Sequence, residues 1–308
     1  MYKYVIKRLL VIIPILLFII FIVFIILNIT PGDPASIILG RDSTPEAIEK
    51  LTIELGLDKP VLVRYFLYIK DAFTLDFGKS YRSGQPVFKE ILAKFPTTLE
   101  LAFLSVIGAA IIGIPLGILS AVKQYSFLDI SLTVSALFLA SIPGFWLGIM
   151  LILVFSLSLG LLPSSGIGGL KYFIMPTLTL ALPSAAWISR MTRTTMLETM
   201  RMDYIRTAKA KGAGKQKIIW KHALPNTLLP VITMLGMTFA ALLGGAMITE
   251  IVFGLPGVGN TIVTAIKMKD IPIVMGSTIF LATLFMLIML AVDLVYAFID
   301  PRIKAQFK

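Results

Sequence analysis

The sequence predicts an all-α membrane protein with several transmembrane helices. Its mean hydropathy is +0.91, only 15% of its 308 residues are charged, and several long runs contain no charge. Such a composition is typical of a polytopic membrane protein and not of a soluble domain. The chain has no cysteine and a single histidine, His222, which excludes disulfides and a histidine metal cage. No cofactor is therefore expected.

The first predicted element is a transmembrane helix within residues 1–30. Its apolar run from Leu9 to Leu27 is close in length to the ~20 residues that a bilayer requires. The basic residues before this run also suit a signal peptide, but no A-x-A cleavage pattern follows it. We therefore expect an uncleaved first span.

Residues 31–95 form the only sizeable soluble segment and are expected to lie outside the cytoplasm. Thr44 and Pro45 suit the cap and first turn of an amphipathic helix, which Gly56 ends. The stretch from Val61 to Phe73 is too short to span a bilayer and too apolar for free solution, so we place it on the membrane surface. The segment is either a platform for an external solute-binding protein or a lid that packs only on its own spans.

Residues 96–299 are predicted to hold five more spans. The first begins at the PTTLE stretch, where Thr97 and Glu100 have the spacing of a capping box. The second of the five apolar runs is longer than a straight span needs, which predicts a break or strong tilt near Pro143 and Gly144. Together with the first helix, six spans result. The five runs lie at about 98–122, 127–158, 173–195, 226–252 and 273–299.

Four residues within these spans are candidates for the lining of a transport pathway. Proline leaves a backbone carbonyl unpaired, and in lipid such a carbonyl requires protein or a wet cavity to satisfy it. Pro143 with Gly144, and also Pro183, mark positions of this kind, although prolines also occur in inert helices. Glu250 is a candidate because ionisable residues at depth are costly, but it equally suits a span end, where water is close.

The charged residues predict which side of the membrane each loop occupies. If the N-terminus is cytoplasmic, 16 of the 28 basic residues and 5 of the 17 acidic ones fall on the inner side. The outer side then carries 12 of each, so the whole net charge of +11 lies inside. This asymmetry predicts that both termini are cytoplasmic, including a short tail at residues 300–308.

Six of the inner basic residues belong to the stretch DYIRTAKAKGAGKQKIIWKHALPN, residues 203–226. A basic loop can act solely as a topology anchor. The helix start and stop signals in this stretch favour a further role. Gly212 ends one helix in a conformation that suits glycine, a short helix follows at about 215–224, and Pro225 begins the next span. A short helix between a glycine turn and a span has the shape of a docking site.

The same stretch resembles the cytoplasmic signature of type I ATP-binding-cassette (ABC) importer permeases, which runs Glu-Ala-Ala, three residues, Gly, nine residues, Ile-x-Leu-Pro. This chain keeps the spacing of the signature. The Glu, the first Ala and the Ile of the signature are replaced by Arg206, Thr207 and His222. The residues at its positions are Arg206, Thr207, Ala208, Gly212, His222, Leu224 and Pro225. In these departures the stretch resembles permeases of the dipeptide, oligopeptide and nickel branch of the family. Further motifs similar to that branch are PGDPA (31–35), LGLDKPVLVRY (55–65), SIPGFWLG (141–148), VFGLPGVGN (252–260) and DPRIK (300–304).

The resemblance implies a type I ABC importer transmembrane fold in a bacterial or archaeal inner membrane. The chain would be a permease for peptides, with nickel or a metal chelate as the alternative substrate. It would form half of the pathway in a heterodimer with a homologous permease, beside two cytoplasmic ATPase subunits, an external solute-binding protein and membrane lipid, and no nucleic acid is expected. A coupling loop at about 196–225 would dock on the ATPase. Its coupling residues would be the signature positions named above together with Lys215, Ile218, Ile219 and Trp220.

The chain itself is not expected to be an enzyme. A phosphate-binding loop requires the motif G-x-x-x-x-G-K-[ST]. Gly214 and Lys215 match its G-K pair, but Lys209 stands at the first glycine and Gln216 at the Ser or Thr position. ATP hydrolysis is therefore assigned to partner subunits. Two other classes fit less well. An ion-coupled secondary carrier predicts inverted repeats and buried ionisable relays, and a membrane-embedded hydrolase requires a nucleophile with histidine, and neither pattern is evident.

Overall fold

The computed structural model describes residues 2–30, 32–40 and 43–299. This part of the chain is helical and has no β-strand beyond one isolated bridge between Lys79 and Pro86. The prediction of an all-α membrane protein is confirmed. The predicted tail at 300–308, with its DPRIK motif, lies outside the described residues.

The helices of the described residues follow one another as a series of long and short elements. Two π-helical turns interrupt the series, Ile152–Ser158 after α7 and Ile218–Ala223 after α10. In chain order the α-helices are α1 (Tyr2–Ile29), α2 (Pro34–Leu39), α3 (Pro45–Glu54), α4 (Val61–Ala72), α5 (Val87–Val122), α6 (Phe127–Ser141), α7 (Gly144–Leu151), α8 (Lys171–Met200), α9 (Asp203–Ala210), α10 (Lys215–Lys217), α11 (Leu224–Gly245), α12 (Met247–Val252), α13 (Val258–Lys267) and α14 (Ile271–Ile299).

The chain divides into two compact units. The first unit contains residues 2–98 and 256–286, and the second contains residues 99–255 and the chain from Leu287 onward. The expected domain limits at residues 30 and 95 therefore do not coincide with the compact units. The first span and the polar segment pack together in one unit because their apolar side chains share a cluster with the start of α14.

Local capping in the first unit agrees with the sequence. The Thr44 hydroxyl accepts a hydrogen bond from the Ala47 amide at 3.3 Å and starts α3, and Gly56 follows the end of that helix with a φ of +65°. Helix α4 packs Tyr65 against α1, where the phenol donates to the Leu17 carbonyl at 3.0 Å. The two helices expected in this segment are therefore present.

The long helix α5 begins at Val87, so its predicted start at the PTTLE stretch is wrong. Val87 and Ile91 are buried in an apolar cluster with Phe77 and Met275. Burial of these earlier turns outweighs the local capping signal at Thr97, because packing of an apolar face supplies most of the stability of helices in proteins. The predicted boundary between residues 95 and 96 consequently falls inside a helix.

Five helices of the described residues are long and apolar enough to cross a membrane, and the number becomes six if the bent pair α6–α7 counts as one span. The two halves of this pair meet at 98°, which confirms the predicted break near Pro143 and Gly144. Ile142 has an extended backbone with a ψ of 127°, as a residue before proline prefers. The other spans are Arg8–Ile29, Val87–Val122, Lys171–Met200, Lys215–Gly245 and Ile271–Val295.

In the second unit, helices α5 and α8 pack backbone to backbone along a glycine seam formed by Gly113 and Gly117. A Cβ atom on Gly113 would lie 2.7 Å from the Ala185 carbonyl oxygen, and one on Gly117 would lie 2.5 Å from the Ser189 carbonyl oxygen. Small residues four positions apart let two helix backbones approach this closely. The seam fixes the end of α5 beside the helix that leads into residues 203–225.

Candidate functional site

The segment 203–225 begins with a short helix that ends at a left-handed glycine. Helix α8 continues to Met200, so the connection starts a few residues later than the expected 196. Helix α9 follows and is closed by amide-to-carbonyl bonds from Gly212 to Lys209 (2.9 Å) and from Ala213 to Ala208 (3.1 Å). Gly212 has a φ of +79°, as the spacing predicted. Glycine reaches this region without the penalty that a Cβ atom imposes.

The second half of the segment continues directly into the next span. Lys215–Lys217 form one α-helical turn, residues 218–223 form a π-helical turn, and α11 starts at Leu224, so the short helix expected at about 215–224 is not separate. The π-helical turn has a cause in the sequence. Pro225 has no amide hydrogen and cannot bond to the Lys221 carbonyl, which disturbs the regular α-helical pattern at this point.

A cluster of buried apolar side chains, here called the base cluster, holds the segment on its own spans. Ile218 and Ile219, two of the predicted coupling residues, belong to this cluster and are buried. Both face inward because the helix buries them against the ends of α5 and α8. The base cluster consists of Ile118, Ala121, Met196, Ile205, Ile218, Ile219 and Ala223.

The opposite face of the segment is exposed, basic and partly aromatic. Trp220 exposes 59% of its surface although it is a large apolar residue. The other predicted site residues with exposed side chains or backbone are Arg206, Thr207, Gly212, Lys215 and Pro225, while Ala208, His222 and Leu224 are half-buried. Further exposed lysines surround them, Lys209, Lys211, Lys217 and Lys221. This face suits a partner surface with acidic groups and an apolar pocket.

Two residues that the sequence reasoning missed connect the ends of the segment. The Asn226 side-chain amide donates to the Tyr204 hydroxyl at 3.0 Å and to the His222 carbonyl at 3.3 Å. Partial desolvation raises the pKa of Tyr204, whose phenol is in any case neutral at physiological pH and accepts this bond. The two residues are 22 positions apart. No sequence period relates them, so only the fold reveals the bridge.

The four pathway candidates differ in their exposure. Pro143 is exposed, and Gly144 and Pro183 are half-buried. Glu250 is fully buried in α12. A cavity of about 460 Å³ with an almost wholly apolar lining opens elsewhere in the second unit, between α5, α11 and α14. Its lining includes Phe103, Leu229, Phe239 and Val292 but none of the four candidates.

Two family models match this chain. The model of the binding-protein-dependent transport system inner membrane component matches residues 113–305, and the model of the N-terminal membrane component of such systems matches residues 1–102. The segment 203–225 lies within the first match. The first family therefore covers more than half of the chain.

Named relatives resemble the chain over nearly its whole length. A dipeptide transport system permease protein, DppB, of Alkalihalophilus pseudofirmus is 41% identical, over 99% of this chain and 100% of the relative. The glutathione transport system permease protein GsiC of Escherichia coli is 40% identical, over 99% of each chain. A putative peptide transport system permease protein of Brucella abortus is 37% identical, over 97% of this chain and 98% of the relative.

Solved structures support the fold. The MetNI methionine ABC transporter in an inward-facing conformation aligns with a TM-score of 0.56 and 22% identity, over 68% of this chain and 96% of that chain. An amino acid ABC transporter aligns with a TM-score of 0.52 and 15% identity. Both likenesses concern the fold alone. Taken with the family match and the named relatives, they show that this chain belongs to the family of binding-protein-dependent transport system inner membrane components, the permeases of ABC importers.

Proposed function

We propose that this chain is the permease subunit of an ATP-driven peptide importer and that its segment 203–225 receives a separate ATPase subunit. The observation that carries this proposal is the two-sided build of the segment. Its inner face joins the base cluster between α5 and α8, and its exposed residues include Trp220 and several lysines. Because the segment is packed on two spans, a rigid-body movement of a bound ATPase would be transmitted to helices in the membrane.

The proposed contact residues are those whose surfaces are free. Arg206, Thr207, Lys215, Trp220 and Pro225 would touch the ATPase, and Gly212 would set the angle between α9 and the following turn. The half-buried Ala208, His222 and Leu224 would contribute at the edge of this contact. Ile218 and Ile219 would anchor the segment and not touch the partner.

Peptide is the proposed substrate class because the relatives at 37–41% identity are named as permeases for dipeptides, peptides or glutathione. None of these three names mentions nickel or a metal chelate. The apolar lining of the cavity between α5, α11 and α14 agrees with a pathway that makes few specific polar contacts. Selectivity would then reside in an external solute-binding protein.

The proposed assembly contains this chain, a homologous second permease, two cytoplasmic ATPase subunits and the solute-binding protein. The structure offers up to six spans, which is few for a complete transport pathway. A second permease would form the other half of the transport pathway. The proposed orientation has both termini in the cytoplasm, since this arrangement puts the basic segment 203–225 on the side where ATP is available.

Uptake into proteoliposomes tests this function. Vesicles with the complete assembly should accumulate a labelled dipeptide when ATP and the binding protein are present, and vanadate should abolish the uptake. Ionophores that collapse proton and sodium gradients should leave it unchanged. Uptake that needs an ion gradient but no ATP would support the secondary carrier instead, and uptake of nickel but no peptide would favour the metal branch.

Because ATP hydrolysis is assigned to separate subunits, we expect that the purified chain alone does not hydrolyse ATP. Its sequence lacks a phosphate-binding loop, with Lys209 and Gln216 at two essential positions. Phosphate release by the isolated chain should equal the detergent background, and addition of the ATPase subunits should restore hydrolysis. Stoichiometric hydrolysis by this chain alone would contradict the proposal.

Single cysteines test the proposed orientation, because the natural chain has none. Glu49→Cys on α3 and Lys209→Cys on α9 both replace exposed helical residues. A maleimide that cannot cross membranes should label the cysteine at position 49 in intact cells and the cysteine at position 209 only after lysis. The reverse labelling pattern would overturn the orientation.

A further inference from the structure

A buried carboxylate close to the base cluster has four hydrogen-bond donors. Asp129 accepts from Arg193 Nε at 2.8 Å, from Arg193 Nη2 at 2.9 Å and from the Tyr125 amide at 2.9 Å. The Ser120 hydroxyl donates the fourth bond. The Asp129 side chain is 4% exposed and that of Arg193 is 27% exposed. We call these four residues the clasp.

The clasp joins three helices and one turn of the second unit. Ser120 lies in the last turn of α5, Tyr125 in the α5–α6 turn, Asp129 in the first turn of α6 and Arg193 in the cytoplasmic half of α8 proposed here. A guanidinium bound through two nitrogens to one carboxylate has a fixed orientation, unlike a lysine contact. The clasp therefore fixes the angle of α6 relative to α8 and not merely their distance.

The turn within the clasp is strained, and the clasp holds it. Tyr125 has a φ of +64°, which is uncommon for a residue with a Cβ atom. Such conformations persist where surrounding contacts over-determine them. Here the Tyr125 amide is bonded to Asp129, and the Ser126 hydroxyl caps the same helix by accepting from the Asp129 amide at 3.2 Å.

The clasp lies between the segment 203–225 and the bent span. On one side, Met196 follows Arg193 by a single helical turn and packs in the base cluster with Ile205 and Ile218. On the other side, Asp129 begins α6, which runs to the 98° break before α7. The glycine seam at Gly117 locks α5 to α8 beside the clasp. Movement of the segment thus reaches α8 directly, and it passes to α6 through the clasp and through the packing of α6 against α8.

We propose that Arg193 and Asp129 are positioning residues that transmit movement of the segment 203–225 to the bent span α6–α7. This inference rests on the proposed function, since it names the route by which ATPase movement would reach the membrane. A merely structural ion pair is the competing explanation. Removing one partner of a buried pair is destabilising in either case, so a useful variant must not leave a charge unpaired.

The neutral pair Asp129→Asn with Arg193→Gln meets this requirement. In the reconstituted importer it should co-purify with both ATPase subunits in the normal ratio and hydrolyse ATP within about twofold of the natural rate. The number of peptides transported per ATP should fall by about tenfold, which is the usual size of a coupling between two sites. Arg193→Lys, which keeps the charge but loses the two-nitrogen contact, should show the same loss.

Arg190→Gln is the matched control. Arg190 lies one turn before Arg193 on α8, is exposed, and stacks over the Trp187 ring at 5.4 Å. Its replacement removes the same charge from the same helix and should leave the transport-to-hydrolysis ratio unchanged. Equal loss in this control would show that coupling is sensitive to any guanidinium on this part of α8 and not to the clasp, and would overturn the proposal.

Normal coupling in the neutral pair would show that the clasp only supports folding, which would also overturn the proposal. If the neutral pair fails to assemble, Arg193→Lys decides the question, because it retains an ion pair: normal coupling overturns the proposal and loss of coupling supports it. Failure of the proposed function is a separate result. In that case the natural protein itself shows no ATP-dependent uptake.

Discussion

Gly117→Ala is expected to lower the apparent melting temperature of the purified chain by about 5 °C. A Cβ atom at this position would lie 2.5 Å from the Ser189 carbonyl oxygen and 2.6 Å from Thr192 Cβ. The first of these atoms is backbone and cannot rotate away, so α5 and α8 must separate. Overpacking of this kind costs about 1–3 kcal/mol. A fluorescence-monitored thermal scan in detergent measures the effect.

Gly244→Ala is the matched control for the glycine seam. Gly244 is also helical, but no atom lies within 4 Å of the position that a Cβ atom would occupy, and the residue is exposed. Alanine is a better helix former than glycine by up to about 1 kcal/mol, so this variant should melt at the natural temperature or slightly above it. If Gly117→Ala melts like Gly244→Ala, helices α5 and α8 do not pack backbone to backbone.

Gly212→Val is expected to abolish ATP-driven uptake while the chain still inserts normally. The φ of +79° at Gly212 is costly for a β-branched residue, by about 1–2 kcal/mol or more. No neighbour lies within 4 Å of a Cβ atom there, so the strain is purely in the backbone. Relief of that strain would rotate α9 relative to the turn at Lys215. Uptake and the amount of co-purified ATPase are the two readouts.

Gly212→Asn separates backbone strain from steric bulk. Asparagine is similar in size to valine but tolerates the left-handed conformation much better. It should retain most of the uptake and ATPase binding. If valine and asparagine are equally harmful, bulk at the contact surface explains the loss, and if both are harmless, the turn at Gly212 does not set the angle of the segment.

Features controlled by local backbone chemistry were predictable from the sequence. Thr44 and Gly56 bound α3 as expected, and the break at Pro143 is present. The left-handed Gly212 also occurs where the spacing placed it. In each case one or two neighbouring residues determine the conformation, since capping hydroxyls, missing amide hydrogens and missing Cβ atoms act within a single turn.

Features controlled by contacts between distant residues were not predictable. The start of α5 at Val87 depends on burial against α14, which outweighs a good local capping pattern. The inward orientation of Ile218 depends on the ends of α5 and α8. The clasp joins residues 64 positions apart, and neither partner stands out in its own sequence context. Helix packing creates these relations, and no alternation or period in the chain encodes them.

Site-specific photocrosslinking at Trp220 tests whether an ATPase subunit docks on the segment 203–225. A benzophenone amino acid would replace Trp220, which is 59% exposed on the segment 203–225, or Trp187, which is 51% exposed on α8 within a span. The complete importer would be irradiated in native membranes and the crosslinked peptides sequenced. Position 220 should join to an ATPase subunit bearing a phosphate-binding loop, and position 187 should not. Absence of that crosslink at position 220, with the importer intact and transporting, would contradict the docking of the ATPase on this segment.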